Sequence, residues 1–346
     1  MPRTLTEADL RAALLARQHL TSPARAPIPT LLERVGFLQT QYAPSAYVGL
    51  FSRLEGVARD DLTRALERRA VIQATTLRVT IHMCSRADYW PTIDAITEAR
   101  RGWWRGASRH ARTDRDMEGH ADRVRAVLSD GPMKRAALVA ALGIDATTWN
   151  GLGLWVNLVR VPPSGTWEQR RGDLYGLAED WVGPRPPVDV EAGRELLVRR
   201  YLQGFPPATP KDIASWAGVA TADLTGAIDR VATRRFVDER GRELVDLPRG
   251  PLPAPDNPVP IRFIGTFDAI LMVHARSTQV LPERHRPTIF STKTPQSIGT
   301  VLIRGQVGAT WKERDGRIVV ETLAPRDRAT RRALDEETAR LEAFVA

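Results

Sequence analysis

One segment order, three helices followed by two strands, recurs three times in this chain and constrains its fold more than any other feature. In the first copy, helix starts are predicted at Thr6, at Thr30 and at Asp60, each followed by apolar residues at helical spacing. Two runs rich in β-branched residues, 71–75 and 77–83, come next. This is the order of a winged helix, a variant of the helix-turn-helix.

The second and third copies repeat this order but not the residues. A helix over 87–104 is predicted to join the first copy to the second. The further predicted helices span 119–128, 133–142 and 147–157 in the second copy and 190–202, 209–217 and 221–234 in the third; the hairpins pair 159–167 with 173–177 and 236–238 with 243–246. Three such units in tandem are hard to produce by chance, so the sequence predicts three winged-helix modules.

The pattern changes after residue 247. Residues 248–260 hold six prolines in thirteen positions, which predicts a stiff linker. Strands are predicted beyond it at 261–273, 300–303, 307–311 and 317–322, before a charged helix at 329–344. The predicted fold class is therefore α+β: three tandem winged-helix modules followed by a small β-rich, barrel-like C-terminal domain with a terminal helix. The predicted domains are 1–105, 106–186, 187–247, the linker 248–260, and 261–346.

The charge balance favours an anionic partner, with nucleic acid as the first candidate. The formal net charge is +9, and only four of the 50 basic residues are lysines. An arginine bias of this kind also arises from a GC-rich coding sequence. The single cysteine, Cys84, excludes a disulfide framework within the chain. The residues after Met1 do not resemble a signal peptide and no apolar run is long enough to span a membrane, so a cytoplasmic (nucleoid) location without membrane contact is expected.

The segment Gly36–Pro44 contains two glutamines, Gln39 and Gln41, at a predicted transition from helix to extended chain. The run from Thr30 to Glu33 is typical of a capping box, and the helix it starts is expected to reach about Leu38. Pro44 is expected to prevent helix continuation and to bias Ala43 away from helical dihedral angles.

In extended chain, Gln39 and Gln41 project to the same side. Each amide offers two N–H donors and one acceptor oxygen, so the pair can hold and orient one water molecule. The alternative is that they are ordinary surface or capping glutamines.

Two basic stretches are candidate DNA contacts. Alternation in Leu77–His82 places Arg78, Thr80 and His82 on one strand face, where a buried, hydrogen-bonded histidine is the competing interpretation. Between residues 100 and 115, arginines that include Arg101 and Arg105 surround a tryptophan pair. They can neutralise phosphates, or they can form a solvated helix face over core tryptophans.

Several common sites are absent from the sequence. The six histidines show no HExxH or other zinc spacing, and there is no P-loop, dinucleotide fingerprint or G-x-S-x-G elbow. No metal and no cofactor are therefore expected. What remains is an enzyme that uses none of these motifs, or a binding protein.

Several motifs together resemble the AlkZ-type family of winged-helix DNA glycosylases, in the branch with a Q-x-Q motif. They run through nearly the whole chain: Gly36–Gln41, Tyr47–Leu54, Thr76–His82, Tyr201–Thr209 with Asp212 and Trp216, Phe267–Leu271 with His274 and Arg276, and Val307–Trp311. The resemblance implies excision of bulky N7-alkylated purines, including interstrand crosslinks, from double-stranded DNA bound on a concave basic surface.

The Q-x-Q pair of this family corresponds to Gln39 and Gln41, which are the predicted catalytic residues. Candidate DNA-binding residues are Arg78, His82, Arg101, Arg105, His274, Arg276 and Lys293. The scarcity of lysine argues against a Schiff-base lyase step, so a monofunctional glycosylase acting as a monomer is expected. Whether such an enzyme serves general repair or self-resistance to a DNA-alkylating metabolite stays open.

The rival interpretation is a non-catalytic winged-helix transcription regulator, whose recognition helices read base edges in major grooves. Such regulators usually bind paired half-sites as dimers. A third possibility is a lesion-binding protein without catalytic activity.

Overall fold

The computed structural model describes residues 2–107, 113–290, 298–314 and 316–346, which form a mixed α+β structure. The helices are α1 (Glu7–Arg17), α2 (Ile28–Val35), α3 (Pro44–Arg53), α4 (Arg59–Glu67), α5 (Arg86–Ala107), α6 (Asp114–Leu128), α7 (Arg135–Leu142), α8 (Ala146–Leu152), α9 (Ala178–Trp181), α10 (Val190–Gly204), α11 (Pro210–Ala217), α12 (Thr221–Val231), α13 (Arg286–Ile289) and α14 (Arg328–Val345). The strands are β1 (Arg3–Leu5), β2 (Leu38–Gln39), β3 (Val71–Thr75), β4 (Ile81–Ser85), β5 (Met133–Lys134), β6 (Leu158–Arg160), β7 (Leu174–Leu177), β8 (Arg234–Asp238), β9 (Glu243–Asp246), β10 (Arg262–Ile264), β11 (Gly299–Ile303), β12 (Gln306–Arg314) and β13 (Arg317–Thr322).

The hairpins of the first two predicted units belong to one six-stranded sheet, in the order β2-β4-β3-β6-β7-β5. The two hairpins meet where β3 pairs antiparallel with β6, with Gln73 opposite Arg160. The short strand β2 lies at one end of this sheet and pairs with β4, so that Gln39 stands opposite His82. The candidate glutamine segment is therefore an edge strand of a sheet that two units share.

The third hairpin, β8–β9, forms a separate three-stranded sheet with β1. The strand β1 pairs parallel with β8, a connection between the start of the chain and the third unit that the sequence analysis missed. Helices α5 and α10 also link the first and third units, because Arg200 donates to both carboxylate oxygens of Asp88 at 2.7 and 2.8 Å.

The last sheet is antiparallel, in the order β10-β11-β12-β13, and helix α14 follows it. Its strands match the predicted ones except the first. A strand was expected over 261–273, but β10 ends at Ile264 and 3-10 turns follow at Ala269–Leu271 and Val273–Thr278. The Asp268 carboxylate explains the change, because it accepts from the Ile270 amide and forms a buried ion pair with Arg53.

Two expectations around the glutamine segment were wrong. Thr30 does not cap a helix, since α2 begins at Ile28 and ends at Val35, where Gly36 adopts a left-handed conformation with φ 76°. Pro44 does not disrupt a helix but starts α3, and Ala43 before it is already helical. Proline is favoured in a first turn because its missing N–H has no partner there. The turn holding Gln41 thus lies between two helices and is fixed at both ends.

Other boundaries moved less. The helix expected over 147–157 ends at Leu152, and the strand expected over 77–83 begins only at Ile81. The main hydrophobic cluster draws on Leu14, Val159, Ile213 and Leu302, so residues of every predicted folded domain pack in it. Among the described helices, none combines the length and hydrophobicity needed to cross a membrane.

Candidate active site

Gln39 and Gln41 lie side by side at the end of β2. The Gln39 Nε2 atom donates to Gln41 Oε1 at 2.5 Å. Gln39 is 6 % exposed, whereas Gln41 is exposed. The two amides therefore lie together, as expected from alternation in extended chain. The Gln39 amide is buried and the Gln41 amide faces solvent.

Thr40, between them, points the other way. Its hydroxyl accepts from Gln73 Nε2 at 2.9 Å, and both residues are buried. Its amide N–H also bonds to the Ile81 carbonyl at 2.8 Å. These two bonds fix the backbone from which the glutamines project.

Arg78 determines how the amides are oriented. Its Nη2 donates to Gln39 Oε1 at 3.1 Å. A guanidinium has donors only, so the Gln39 atom that faces it must be oxygen, and the atom that faces Gln41 must be the NH₂ group. Gln41 must then present its own oxygen to Gln39. The outward-facing group at the end of this series is the Gln41 NH₂ group.

An unusual backbone segment positions Arg78. Arg78 and Val79 have φ values of 53° and 56°, a left-handed conformation that costs a non-glycine residue about 1–3 kcal/mol. Arg78 Nη1 donates to the Trp216 carbonyl. The backbone nitrogen of Arg78 lies so near Gly218 that a Cβ atom on Gly218 would come within 2.8 Å of it. The expectation that Arg78, Thr80 and His82 alternate along one strand was therefore wrong. Arg78 reaches His82 and Gln39 from a turn that packs against α11.

His82 is held neutral and in one tautomer. Its Nδ1 bonds to the Thr80 carbonyl at 3.1 Å, and its Nε2 lies 3.3 Å from Arg78 Nη2. A carbonyl needs a donor and a guanidinium needs an acceptor, so Nδ1 carries the proton. Burial, followed by the Arg78 charge, lowers the His82 pKa well below its ordinary value.

His274 lies deeper, against the rings of Phe205 and Tyr201 at 5.2 and 6.2 Å between centroids. Burial, then the Arg78 charge, lowers its pKa well below the ordinary value, and its Nε2 has no hydrogen-bond partner among the described residues. Because His82 and His274 are 2 % and 4 % exposed, the sequence-based expectation of DNA contacts does not fit their positions. Both rings instead lie near the Arg78 guanidinium.

The other basic candidates are engaged with protein groups. Arg101 contacts Glu118 at 3.4 Å and the Leu154 carbonyl at 3.1 Å. Arg105 pairs with Asp114 at 2.8 Å, and Arg276 with Glu283 at 2.7 Å, both with about half of the side chain exposed.

Arg100, from the same arginine-rich stretch, is 3 % exposed and donates to the Thr75 carbonyl at 2.8 Å. Burial lowers its pKa to about 10, and because so little of the side chain is exposed, a phosphate contact does not fit this residue. Lys293, Arg109, His110 and Arg112 lie outside the described residues.

The site includes residues that sequence reasoning missed. Gln73 and Gly218 carried no recognisable signal, because a strand glutamine and a glycine after a helix are common. Within the described part of the chain, no group of histidine, cysteine and acidic side chains is placed to hold a metal ion. Among the described residues around the glutamine pair, the chemistry available is hydrogen bonding by neutral amides beside the partly buried positive charge of Arg78.

A family model identifies the family of this chain, and a solved structure has the same fold. The family model of AlkZ-like DNA glycosylases matches residues 32–344. Among solved structures, the DNA glycosylase AlkZ of Streptomyces sahachiroi is similar, with a TM-score of 0.80 over 99 % of this chain and 97 % of that chain, at 19 % sequence identity. At that identity the likeness shows a common fold. A comparison with curated proteins finds no match.

Proposed function

We propose that this chain, which belongs to the AlkZ-like DNA glycosylase family, hydrolyses the N-glycosidic bond of N7-alkylated purines with a water molecule positioned by Gln39 and Gln41. The substrates include bulky adducts and interstrand crosslinks in double-stranded DNA. The observation that carries the proposal is the contact of the two amides at an exposed edge, with Arg78 fixing their orientation.

Neutral amides suffice because the substrate is activated in advance. A glutamine amide does not titrate usefully, so it cannot act as a strong general base. Alkylation at N7 gives the purine a positive charge and makes it a good leaving group. Catalysis then requires mainly that a water molecule be held close to C1′ of the sugar, a proximity effect. As the cationic base departs, positive charge develops on the sugar and nearby DNA phosphates stabilise it.

The series of hydrogen bonds assigns each group a role. Arg78 is a positioning residue: it donates to Gln39, which donates to Gln41. The Gln41 NH₂ group then donates to the water oxygen and leaves a second oxygen lone pair free to attack C1′. The second lone pair of Gln41 Oε1 accepts a hydrogen bond from the water molecule. Arg78 thereby prevents the amide flips that would present the wrong atom to the water. When the C1′–O bond forms and the purine leaves as a neutral base, the surplus water proton is released to solvent.

The fold supports action on lesions that cannot leave the duplex. We assign residues 1–105, 106–186 and 187–247 to three winged-helix modules that hold duplex DNA, with 248–260 as a linker and 261–346 as the C-terminal domain. The exposed Arg105 and Arg276 serve as phosphate contacts, exchanging their carboxylate partners for phosphate. Because the Gln41 side chain is exposed, a crosslinked base need not rotate into a closed pocket, unlike the substrates of base-flipping enzymes.

The test is excision by the parental protein and by Gln39→Ala and Gln41→Ala variants. Duplexes carrying 7-methylguanine, 3-methyladenine or a nitrogen-mustard crosslink are incubated with each protein, and abasic sites are counted. We expect abasic sites at N7-alkylated guanine, with slower single-turnover excision in both variants and nearly unchanged DNA affinity. Equal rates in all three proteins would end the water-positioning proposal. A sequence-specific dimer that yields no abasic sites would instead support a transcription regulator.

A further inference from the structure

A cavity of about 530 Å³ opens beside the glutamine pair. Tyr42, the residue directly after Gln41, forms one wall, and Trp167 and Trp311 line the cavity as well. It is bounded by the start of α3, by the loop between β6 and β7, and by the C-terminal sheet. Three aromatic side chains from three parts of the chain thus converge next to the proposed catalytic amides.

The backbone of the cavity is closely fitted. Gly299 lies so near Trp311 that a Cβ atom would come within 2.6 Å of the indole ring, and a Cβ on Gly265 would come within 2.8 Å of the Ser45 carbonyl oxygen. No side chain fits at either glycine without a shift of its neighbours. At the rim, Ile298 is 40 % exposed and offers an apolar surface beside the aromatic rings.

Polar side chains of the cavity are bonded to one another or to neighbouring protein groups. Arg170 donates to the Tyr42 hydroxyl at 2.8 Å and to Glu313 at 3.0 Å. The hydroxyls of Ser45 and Thr266 are 2.6 Å apart. The remaining polar pairs are Trp311 Nε1 with the Ile264 carbonyl at 3.0 Å and Lys312 with Glu321 at 3.4 Å.

These hydrogen bonds distinguish between two possible occupants, a nucleobase and a planar group that is bound by stacking alone. A nucleobase is normally recognised through unpaired donors and acceptors that match its edge. Here the polar side chains already have protein partners. The Arg170 guanidinium lies over the rings of Tyr42 and Trp167, at 6.0 and 4.9 Å to their centroids, so the uncovered ring surfaces and an apolar rim are what remains for a ligand. Stacking on aromatic faces selects planar groups without reading hydrogen bonds.

We propose that this cavity binds a planar aromatic group that the lesion carries as its substituent, an arylalkyl chain on the alkylated purine. The inference rests on the proposed function, because a damaged nucleotide whose C1′ lies at the Gln41 water brings its purine and the purine's substituent into the neighbourhood of Tyr42. The cavity thereby raises affinity for aryl adducts over small alkyl adducts, without taking part in bond cleavage.

The experiment compares affinities for two duplexes, one with 7-methylguanine and one with 7-benzylguanine. A 2′-fluorine on the damaged nucleotide slows loss of the base, so that binding is measured without cleavage. We expect the parental protein to bind the benzyl duplex about tenfold more tightly, as is typical when one planar group stacks on aromatic side chains. Equal affinities would overturn the proposal.

Four variants test which residues produce the preference for the benzyl duplex. Tyr42→Ala is expected to abolish it and Tyr42→Phe to retain it, because the ring rather than the hydroxyl supplies the stacking face. Ile298→Ala is expected to reduce it. The matched control is Val319→Ala on β13, since Val319 has a similar exposure of 36 % but does not line the cavity. A preference that persists in both Tyr42→Ala and Ile298→Ala would overturn the proposal.

Two further outcomes are informative. If a duplex with one unpaired, undamaged guanine is bound more tightly than a paired duplex and Tyr42→Ala removes that difference, the occupant is an extrahelical base and the proposal fails. If the benzyl preference is found but duplexes without fluorine never yield abasic sites, the proposed function fails while the cavity assignment stands.

Discussion

Arg17 is fully buried and Arg78 is partly buried, and the two differ in what balances their charge. Arg17 forms a two-pronged pair with Asp246 at 2.8 and 2.9 Å, and both side chains are fully buried. Arg78 bonds to the Trp216 carbonyl, to Gln39 and to His82, and no carboxylate in the described ranges pairs with it. Burial accordingly lowers the Arg78 pKa to about 10.

This difference, together with the contact of Arg78 with Gln39, identifies Arg17 as a structural arginine and Arg78 as one that serves the site. Arg17 also donates to the carbonyls of Leu202 and Phe205, so its charge joins α1 to the third unit. A buried charge without a counterion is unfavourable for folding. Residues that weaken stability in this way are concentrated at functional sites. We therefore expect changes at Arg17 and Asp246 to affect folding, and changes at Arg78 to affect chemistry.

The largest effect is expected from Asp246→Asn. Neutralising this partner leaves the Arg17 charge buried and uncompensated, which lowers the free energy of unfolding by about 3–5 kcal/mol. Urea unfolding measures it. The control is Glu336→Gln, which removes the exposed pair with Arg332 and changes the same quantity by less than about 1 kcal/mol. A similar small loss in both variants would mean that burial does not distinguish the two pairs.

Arg78→Ala is expected to act on the reaction. Loss of the fixed amide orientation slows single-turnover excision of 7-methylguanine by about 10–100-fold, a typical effect of misplacing a reacting group. Affinity for DNA and its salt dependence stay the same, and Arg78→Lys recovers only part of the rate because an ammonium cannot reach all three partners in the same geometry. If Arg78→Ala instead keeps its rate and weakens DNA binding, Arg78 is a phosphate contact.

The histidines beside Arg78 add a smaller, pH-dependent effect. Their pKa values in the folded protein are depressed by burial, so below pH 6.5, the ordinary histidine value, the unfolded chain takes up protons that the folded protein does not. Stability is therefore full above about pH 7 and decreases as the pH falls below the ordinary value. Unfolding measured across this range should show a weaker decrease in His274→Phe, which removes one of the two groups. An unchanged pH dependence would assign the effect elsewhere.

The smallest effects are expected at the exposed, ion-paired arginines. In the proposed complex, Arg105→Gln and Arg276→Gln each reduce the slope of log affinity against log salt by about one unit. Neither changes the excision rate at saturating protein, and each changes the free energy of unfolding by less than about 1 kcal/mol. Affinities at several salt concentrations provide the test. Unaltered slopes would remove both residues from the DNA contact.

Local signals explain how much of the fold the sequence predicts. The helices predicted to begin near Thr6 and Thr209 both form, and each begins with a capping box, which needs only residues three apart. The capping box expected at Thr30 fails because the flanking prolines start α2 earlier. The pairing of β1 with β8 joins residues more than 230 positions apart, and no local pattern reports it.

The site divides in the same way. The contact of Gln39 with Gln41 follows from alternation over two residues, so the sequence predicts it. The sequence does not predict the turn at Arg78. Its left-handed backbone depends on packing against Trp216 in α11 and Gly218 just after that helix. The sequence likewise does not show that His82 and His274 are buried, because the residues that cover them come from distant parts of the chain. Both were therefore expected to contact DNA.

The central claim is that Gln39 and Gln41 act as one unit that holds a single water molecule. The most direct measurement is single-turnover excision of 7-methylguanine by Gln39→Ala, Gln41→Ala and the double variant under saturating protein. Groups that act together are strongly non-additive, so the account predicts that the double variant is about as slow as either single variant. Losses that multiply in the double variant, or no loss in any of the three, would contradict it.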